Sequence, residues 1–555
     1  MSTEPKPNPL EEYLHLSRVA AEYPGHDRCL VAPNPEVRQR IKEQLEAMRG
    51  VAGDLLGARI QIRPPTAPGL NDGLIYPGNL FPLGTPLGVM ATAAADKAPM
   101  RGTVRVIVIL AQFADKAMTQ TRQHFEDLFF SLGVIPTGSV REFYREATNN
   151  LVDIVGEVVG PYNLPRSLAD YAHGGGGMGT DLPNARTMAH DAAVAADPDV
   201  NFSLYDNDHD GFVDAFIVIH AGPGGEATAN SADIWSHKWL LDGGPYTADG
   251  VNIYAYLTVP EDCRIGVCSH ELGHLLFGFP DLYDTDYSSE GVGDWCLMGT
   301  GSWNGGGDVP SHPSAWCKAN QGWATVVNQS TNATLTIPSV ETSHTIYRLW
   351  KEGAGGSEYF LLENRQAIGF DRTLPGSGLL VWHVDDSIAG NTDENHPKVA
   401  LVQADGKRDL EHAANRGDAG DPYPGTSNNT DFAAGTTPNS QAYAGTPTCV
   451  GVGSIGLSGA VIQATLSVQC VVKPKEKEKE KEGLADKPKD LKDFKDQLSD
   501  KWLGKEKFEK EQLGDTTKTQ IEKPITDKIS EKLIETGAPG SPPAGGPPST
   551  LPGFG

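Results

Sequence analysis

Apolar and polar positions change rhythm four times along this chain. Val104-Arg105-Val106-Ile107-Val108-Ile109-Leu110 is an almost unbroken apolar run of strand length, the pattern of a strand covered on both faces. Helical spacing comes next, over His124–Leu132 and Val140–Glu146, then strand patterns over Leu151–Val159 and Val213–His220. An apolar helix runs through Val267, Leu272, Leu275, Leu276 and Phe277 and stops at Gly278, and another helix is predicted over Pro313–Gln321. Glycine suits the left-handed turn that closes a helix. This alternation predicts an α+β domain in which a mixed sheet backs one central helix. From 336 to 470 the helical period disappears. Thr334–Ile337, Glu358–Glu363, Gly378–Val384, Val399–Gln403 and Val461–Val468 read as strands, so a β-sandwich is expected.

The flanks differ from both. Ahead of residue 101 a helix is expected with Asn34 as cap, Pro35 at its first position and Gly50 at its end. A Pro- and Gly-rich connector covers about 63–100. After 470 comes a Lys-Glu run and then a Pro- and Gly-rich end, a composition that buries no core and predicts disorder. Leu491, Phe494, Leu498 and Trp502 approach helical spacing and leave a short amphipathic helix open. The expected division is thus 1–100, 101–335, 336–470 and 471–555.

The chemistry sits in the apolar helix. His270-Glu271-Leu272-Gly273-His274 sets two imidazoles one turn apart on one face, where both reach a single zinc ion. Glu271 is then free to take a proton from water. Asp281 lies just past the glycine stop as a third ligand candidate, with Asp284 as the alternative. Trp295 to Gly301 places Met298 in a Gly-rich turn suited to the floor of the site. Tyr283 and Tyr287 are candidate donors to an oxyanion. His220, His237 and His312 carry no such pattern.

Asp206-Asn207-Asp208-His209-Asp210-Gly211-Phe212-Val213-Asp214 is a second signal. Carboxylates at alternate positions with Gly at the sixth match the first half of a calcium loop, but Ile217 stands where an EF-hand has its glutamate. The expected ligands are Asp206, Asp208, Asp210, the Phe212 carbonyl and Asp214. An acidic surface turn is the alternative. Asp405, Asp418 and Asp421 form a weaker candidate of the same kind.

Together these segments resemble the immune-inhibitor-A-like, M6-type secreted metalloproteases, relatives of the metzincins. Val104–Phe113, Phe216–Gly222, Asp233–His237 and Pro280–Asp284 resemble that family's catalytic domain. Leu361–Arg365 and Gly378–Asp385 resemble its companion β domain. The resemblance spans about 101–470. It implies a zincin-like fold, zinc on His270, His274 and Asp281, and Glu271 as the base. One departure stands out. Three residues, not two, separate His274 from Gly278, so Asp281 lies eleven positions after His270 rather than ten. An extra helical residue rotates the downstream chain by about 100°, which puts the third ligand in question.

Charge and cysteine content narrow the setting. The net charge is −26, against nucleic acid as a partner. Residues 471–535 hold 17 Lys and 17 Asp or Glu and the last twenty residues none, so the acidity belongs to 1–470. No eighteen-residue apolar stretch predicts a membrane span. Of seven cysteines, Cys263 with Cys268, Cys296 with Cys317 and Cys449 with Cys470 are local pairs. Three disulfides and an extracellular location are expected, although Met1–Lys6 leads into polar sequence without a signal-peptide core. Cys29 is left over. A thiolate binds zinc well, and the lone cysteine on a strap ahead of the catalytic segment is expected to cap the metal in a latent precursor. The reading is therefore a zinc endopeptidase acting on proteins or peptides, with structural calcium. The alternative is an inactive, calcium-stabilised secreted binding or adhesive protein.

Overall fold

The computed structural model describes residues 29–43 and 100–470 apart from 41, 180 and 210. A six-stranded sheet carries the first half. Its strands are β1 (Cys29–Leu30), β2 (Gly102–Gln112), β3 (Val152–Asn163), β4 (Phe216–His220), β5 (His237–Leu240) and β8 (Ala255–Pro260), in the order β1-β5-β8-β4-β2-β3. A small hairpin, β6 (Tyr246–Ala248) with β7 (Val251–Ile253), stands outside this sheet. β3, β2, β4 and β8 run parallel; β5 is antiparallel to β8, and β1 antiparallel to β5. The sheet is mixed, as the alternating pattern predicts. Helices α1 (Arg122–Phe130) and α2 (Val140–Ala147) stand where helical spacing places them, α2 started by a Ser139–Glu142 capping box. Helix α3 (Ala185–Ala196) is an addition that the pattern does not predict.

Helix α4 (Ile265–Phe277) is buried at every position. Gly278 ends it at φ 65° and ψ 26°. Close packing at the helix start depends on glycine: a Cβ on Gly266 would stand 1.9 Å from the Ser302 carbonyl oxygen. Gly→Ala in an open helix gains about 1 kcal/mol. Here the contact is with backbone, and the sign reverses. Gly266→Ala should lose about 3 kcal/mol, the upper end for overpacking, seen as a lower urea midpoint.

The second half holds two sheets. One has the order β14-β13-β12-β11-β9, built from β9 (Thr325–Gln329), β11 (Thr345–Leu349), β12 (Glu358–Arg365), β13 (Gly378–Asp385) and β14 (Val399–Leu401). The other has the order β10-β16-β15, from β10 (Ala333–Pro338), β15 (Gly451–Gly453) and β16 (Val461–Ser467). Alternation along β12 and β13 divides their faces. Leu361, Trp382 and Val384 join the core shared with the first half, while Phe360, Leu362 and Val381 join the core under the three-stranded sheet. Helix α5 (Ala315–Asn320) lies between the halves in sequence. Arg365 ties them: its guanidinium bonds Asp371 and Glu363 and donates to the Trp295 carbonyl.

Cys449 and Cys470 form a disulfide. The other two expected bridges appear as neighbouring thiols. Cys263 and Cys268 have their sulfurs 3.4 Å apart, beyond the roughly 2.05 Å of a bond. Cys296 instead accepts from the Met298 and Ser314 amides. Asn34 caps its helix as expected, accepting from the Val37 amide at 2.9 Å. The expected end at Gly50, the connector and the segment 471–555 lie outside the described residues. No described helix is long and apolar enough to cross a membrane.

Candidate metal centre and active site

The two motif histidines are fixed from behind. His270 Nδ1 lies 2.9 Å from the Leu297 carbonyl oxygen, and His274 Nδ1 lies 2.5 Å from that of Phe279. A carbonyl only accepts, so each Nδ1 carries the proton and each Nε2 presents a lone pair. Those Nε2 atoms stand 3.0 Å apart. Asp281 Oδ1 lies 3.1 Å from one and 3.2 Å from the other. Three electron-rich atoms so close repel one another unless a cation lies among them. Ligands about 2.0–2.1 Å from a tetrahedral zinc would be about 3.3 Å apart. The donor set therefore fits zinc. All three residues are buried.

The extra residue before Gly278 is absorbed in the turn. Helix α4 simply runs to Phe277, and the Gly278 and Phe279 amides bond the His274 and Gly273 carbonyls. The chain then folds back so that Phe279 steadies His274 and Asp281 completes the trio. Asp284 faces elsewhere, accepting from Ser288 and Ser289. Burial raises the Asp281 carboxyl; in the absence of a metal, protonation of the two imidazoles outweighs it and draws the carboxyl below the usual carboxylate range. Burial lowers the His274 imidazole.

Glu271 follows the first ligand on the same buried turn of the helix. Both its oxygens are buried without a hydrogen-bond partner. Burial, then the Asp281 charge, pushes its carboxyl well above the ordinary value, and the Val31 backbone pulls only weakly the other way. Met298 packs beneath: its sulfur would lie 2.8 Å from a Cβ on Gly273.

Cys29 is brought to the same place from the far end of the chain. Its sulfur, a His274 nitrogen and an Asp281 oxygen all lie within 4.8 Å of one another. Strand β1 pairs Cys29 with Lys238 and Leu30 with His237. Three successive carbonyls are then gripped by side chains: Leu30 by the Tyr283 hydroxyl at 2.8 Å, Val31 by the Trp235 indole at 2.9 Å and Ala32 by the Trp303 indole at 2.8 Å. Sequence spacing carries no sign of these two tryptophans, because each meets its partner more than two hundred positions away.

The other histidines stay apart. Burial lowers the His220 imidazole to about 4. His237 faces the Trp235 carbonyl and the Tyr256 hydroxyl, and His312 faces Glu146. Tyr287 lies under the Arg38 guanidinium. In the acidic loop, Asp206, Asp208 and Asp214 bring ligand atoms within 4.8 Å. Asp210 lies outside the described residues. The Phe212 backbone joins this loop to Asn252 through a β-bridge. In the second cluster Asp409 replaces the expected Asp421: Asp405, Asp409 and Asp418 converge, while Asp421 accepts from the Trp295 indole.

A mixed sheet thus backs a buried helix that presents a His-His-Asp trio beside a buried glutamate. Residues 103–326 match the family described as immune inhibitor A peptidase M6, catalytic domain. The chain is 33% identical over 234 residues to the pre-pro-metalloprotease PrtV of Vibrio cholerae, covering 35% of this chain and 25% of that protein. It is 28% identical over 274 residues to immune inhibitor A of Bacillus thuringiensis subsp. alesti, covering 39% of each. The chain thus spans a quarter to two fifths of the length of these relatives.

Proposed function

We propose that this chain is a zinc-dependent endopeptidase of protein or peptide substrates, made as a latent extracellular precursor. The carrying observation is the convergence of three lone pairs from His270, His274 and Asp281 beside a buried, unpartnered Glu271. Zinc held by that trio supplies Lewis acidity. Glu271 accepts the proton of the attacking water and returns it to the leaving amide nitrogen. Tyr283 already donates to a peptide carbonyl beside the site, that of Leu30, which supports a role in steadying a substrate carbonyl.

Residues 1–100 act as a propeptide, 101–335 as the zincin-like catalytic domain, 336–470 as a β-sandwich against which it packs, and 471–555 as a charged tether. Cys29 occupies the remaining metal position in the precursor. Calcium on the loop of Asp206, Asp208, Asp210, Asp214 and the Phe212 carbonyl braces the entry to β4. The two reduced thiol pairs are close enough to close as disulfides after export. The inactive, adhesive alternative drew its support from the extra residue before Gly278, and the turn accommodates it.

Metal content tests the ligand set. Asp281→Ala should lower bound zinc well below one per chain and abolish casein hydrolysis, whereas Asp284→Ala should keep the zinc. Elemental analysis with the opposite pattern would overturn the assignment.

A further inference from the structure

The N-terminal segment carries a second group into the cleft. Arg38, nine residues after Cys29, is 2% exposed, and so is its partner Glu290. Arg38 Nε donates to Glu290 Oε2 at 2.7 Å and Nη2 donates to the Ser289 carbonyl at 2.7 Å. The guanidinium carbon lies 4.8 Å from the centre of the Tyr287 ring. The other Glu290 oxygen meets the Lys42 ammonium at 3.3 Å, which also donates to the Ala413 carbonyl. Carboxylate, two carbonyls and an aromatic face make a recess for a cation. The in-plane carbonyl and the stacked ring suit a planar guanidinium better than an ammonium.

Every wall of this recess belongs to the chain beyond residue 100, whereas both cations arrive on the segment proposed to leave on maturation. The recess adjoins the metal centre: the Ser289 amide donates to Asp284 at 2.8 Å, and the Val292 amide donates at 3.0 Å to the carbonyl of Leu282, the residue after Asp281. Departure of the segment leaves a buried carboxylate without a counter-charge, a costly state that a cationic side chain relieves. We propose that the Glu290 recess is a substrate subsite for arginine, and that Arg38 fills it in the precursor in the substrate's place. The proposal rests on the peptidase reading above. A site built to bond a polar group discriminates strongly against substrates lacking it.

The test uses the full-length chain carrying Cys29→Ser, Arg38→Ala and Lys42→Ala, so that the thiol and both cations are gone from the site. Matched peptides bear Arg or Ala at each position around one scissile bond. A preference for Arg of tenfold or more in kcat/KM is expected at a single position, falling to within twofold when Glu290→Gln is added. An Arg-to-Ala ratio near one everywhere, or a preference that survives Glu290→Gln, overturns the subsite. Methylguanidine supplies a readout that needs no catalysis. It should raise the melting midpoint of the Arg38→Ala, Lys42→Ala chain and leave that chain unmoved once Glu290→Gln is added; equal shifts, or none, reject the recess as a guanidinium site. If no peptide is cut while methylguanidine still binds selectively, the peptidase reading has failed, and the subsite falls with it although the recess stands.

Discussion

Glu271→Gln is expected to lower casein hydrolysis about a thousandfold while zinc content stays at that of the parent, within the usual range for loss of a general base. The side chain keeps its length and loses only its ability to accept a proton. Neither Glu271 oxygen has a hydrogen-bond partner within normal distance, and beyond the Val31 backbone nearby the change leaves the two imidazoles oriented by Leu297 and Phe279. The fall corresponds to about 4 kcal/mol of transition-state stabilisation. It should appear in kcat rather than KM, because Glu271 acts on the reacting water and not on the rest of the substrate. The comparison belongs on protein freed of latency, with metal analysis of the same preparation. A variant that keeps more than a tenth of the activity would remove Glu271 from the chemistry. Loss of zinc together with activity would instead make it a structural support.

How far the sequence speaks for the fold depends on how local each signal is. The apolar run of β2 and the motif helix with its Gly278 stop are set by neighbouring residues, and both stand where pattern places them. Strand β5, with His237, Lys238, Trp239 and Leu240, carries no strand signal because its composition looks half polar, yet all four are buried. Burial comes from β8 on one side and β1 on the other, neither visible locally. Helix α3 is largely alanine, so its apolar face carries little periodic signal. The third ligand depends on how the chain turns after Phe277. Helical extrapolation rotates Asp281 off the histidine face, but the chain leaves the helix at the left-handed Gly278 and Asp281 comes back to both imidazoles. Cys29 is reached through chemistry alone, since a cysteine left over from the three local pairs suits a metal. The Arg38–Glu290 pair, 252 positions apart, leaves no trace in the pattern.

Cys29→Ser in the unprocessed chain should release hydrolysis at least about tenfold, the factor that loss of about 1.4 kcal/mol of restraint would give. A hydroxyl is a poor replacement for a thiolate at zinc. Release should be incomplete, because the thiol is one of several holds. β1 remains paired with β5, the Leu30, Val31 and Ala32 carbonyls keep their donors, and Arg38 keeps Glu290. These contacts also block the cleft by occupying it. Activity measured on intact chain, with its length verified after the assay, separates the two means of inhibition. If Cys29→Ser stays as silent as the parent while Arg38→Ala is awakened, latency comes from occupation of the cleft and the thiol is a bystander. If each substitution frees part of the activity and the pair frees more than either, the segment inhibits at two separate holds: its sulfur at the metal trio and its guanidinium at the Glu290 recess.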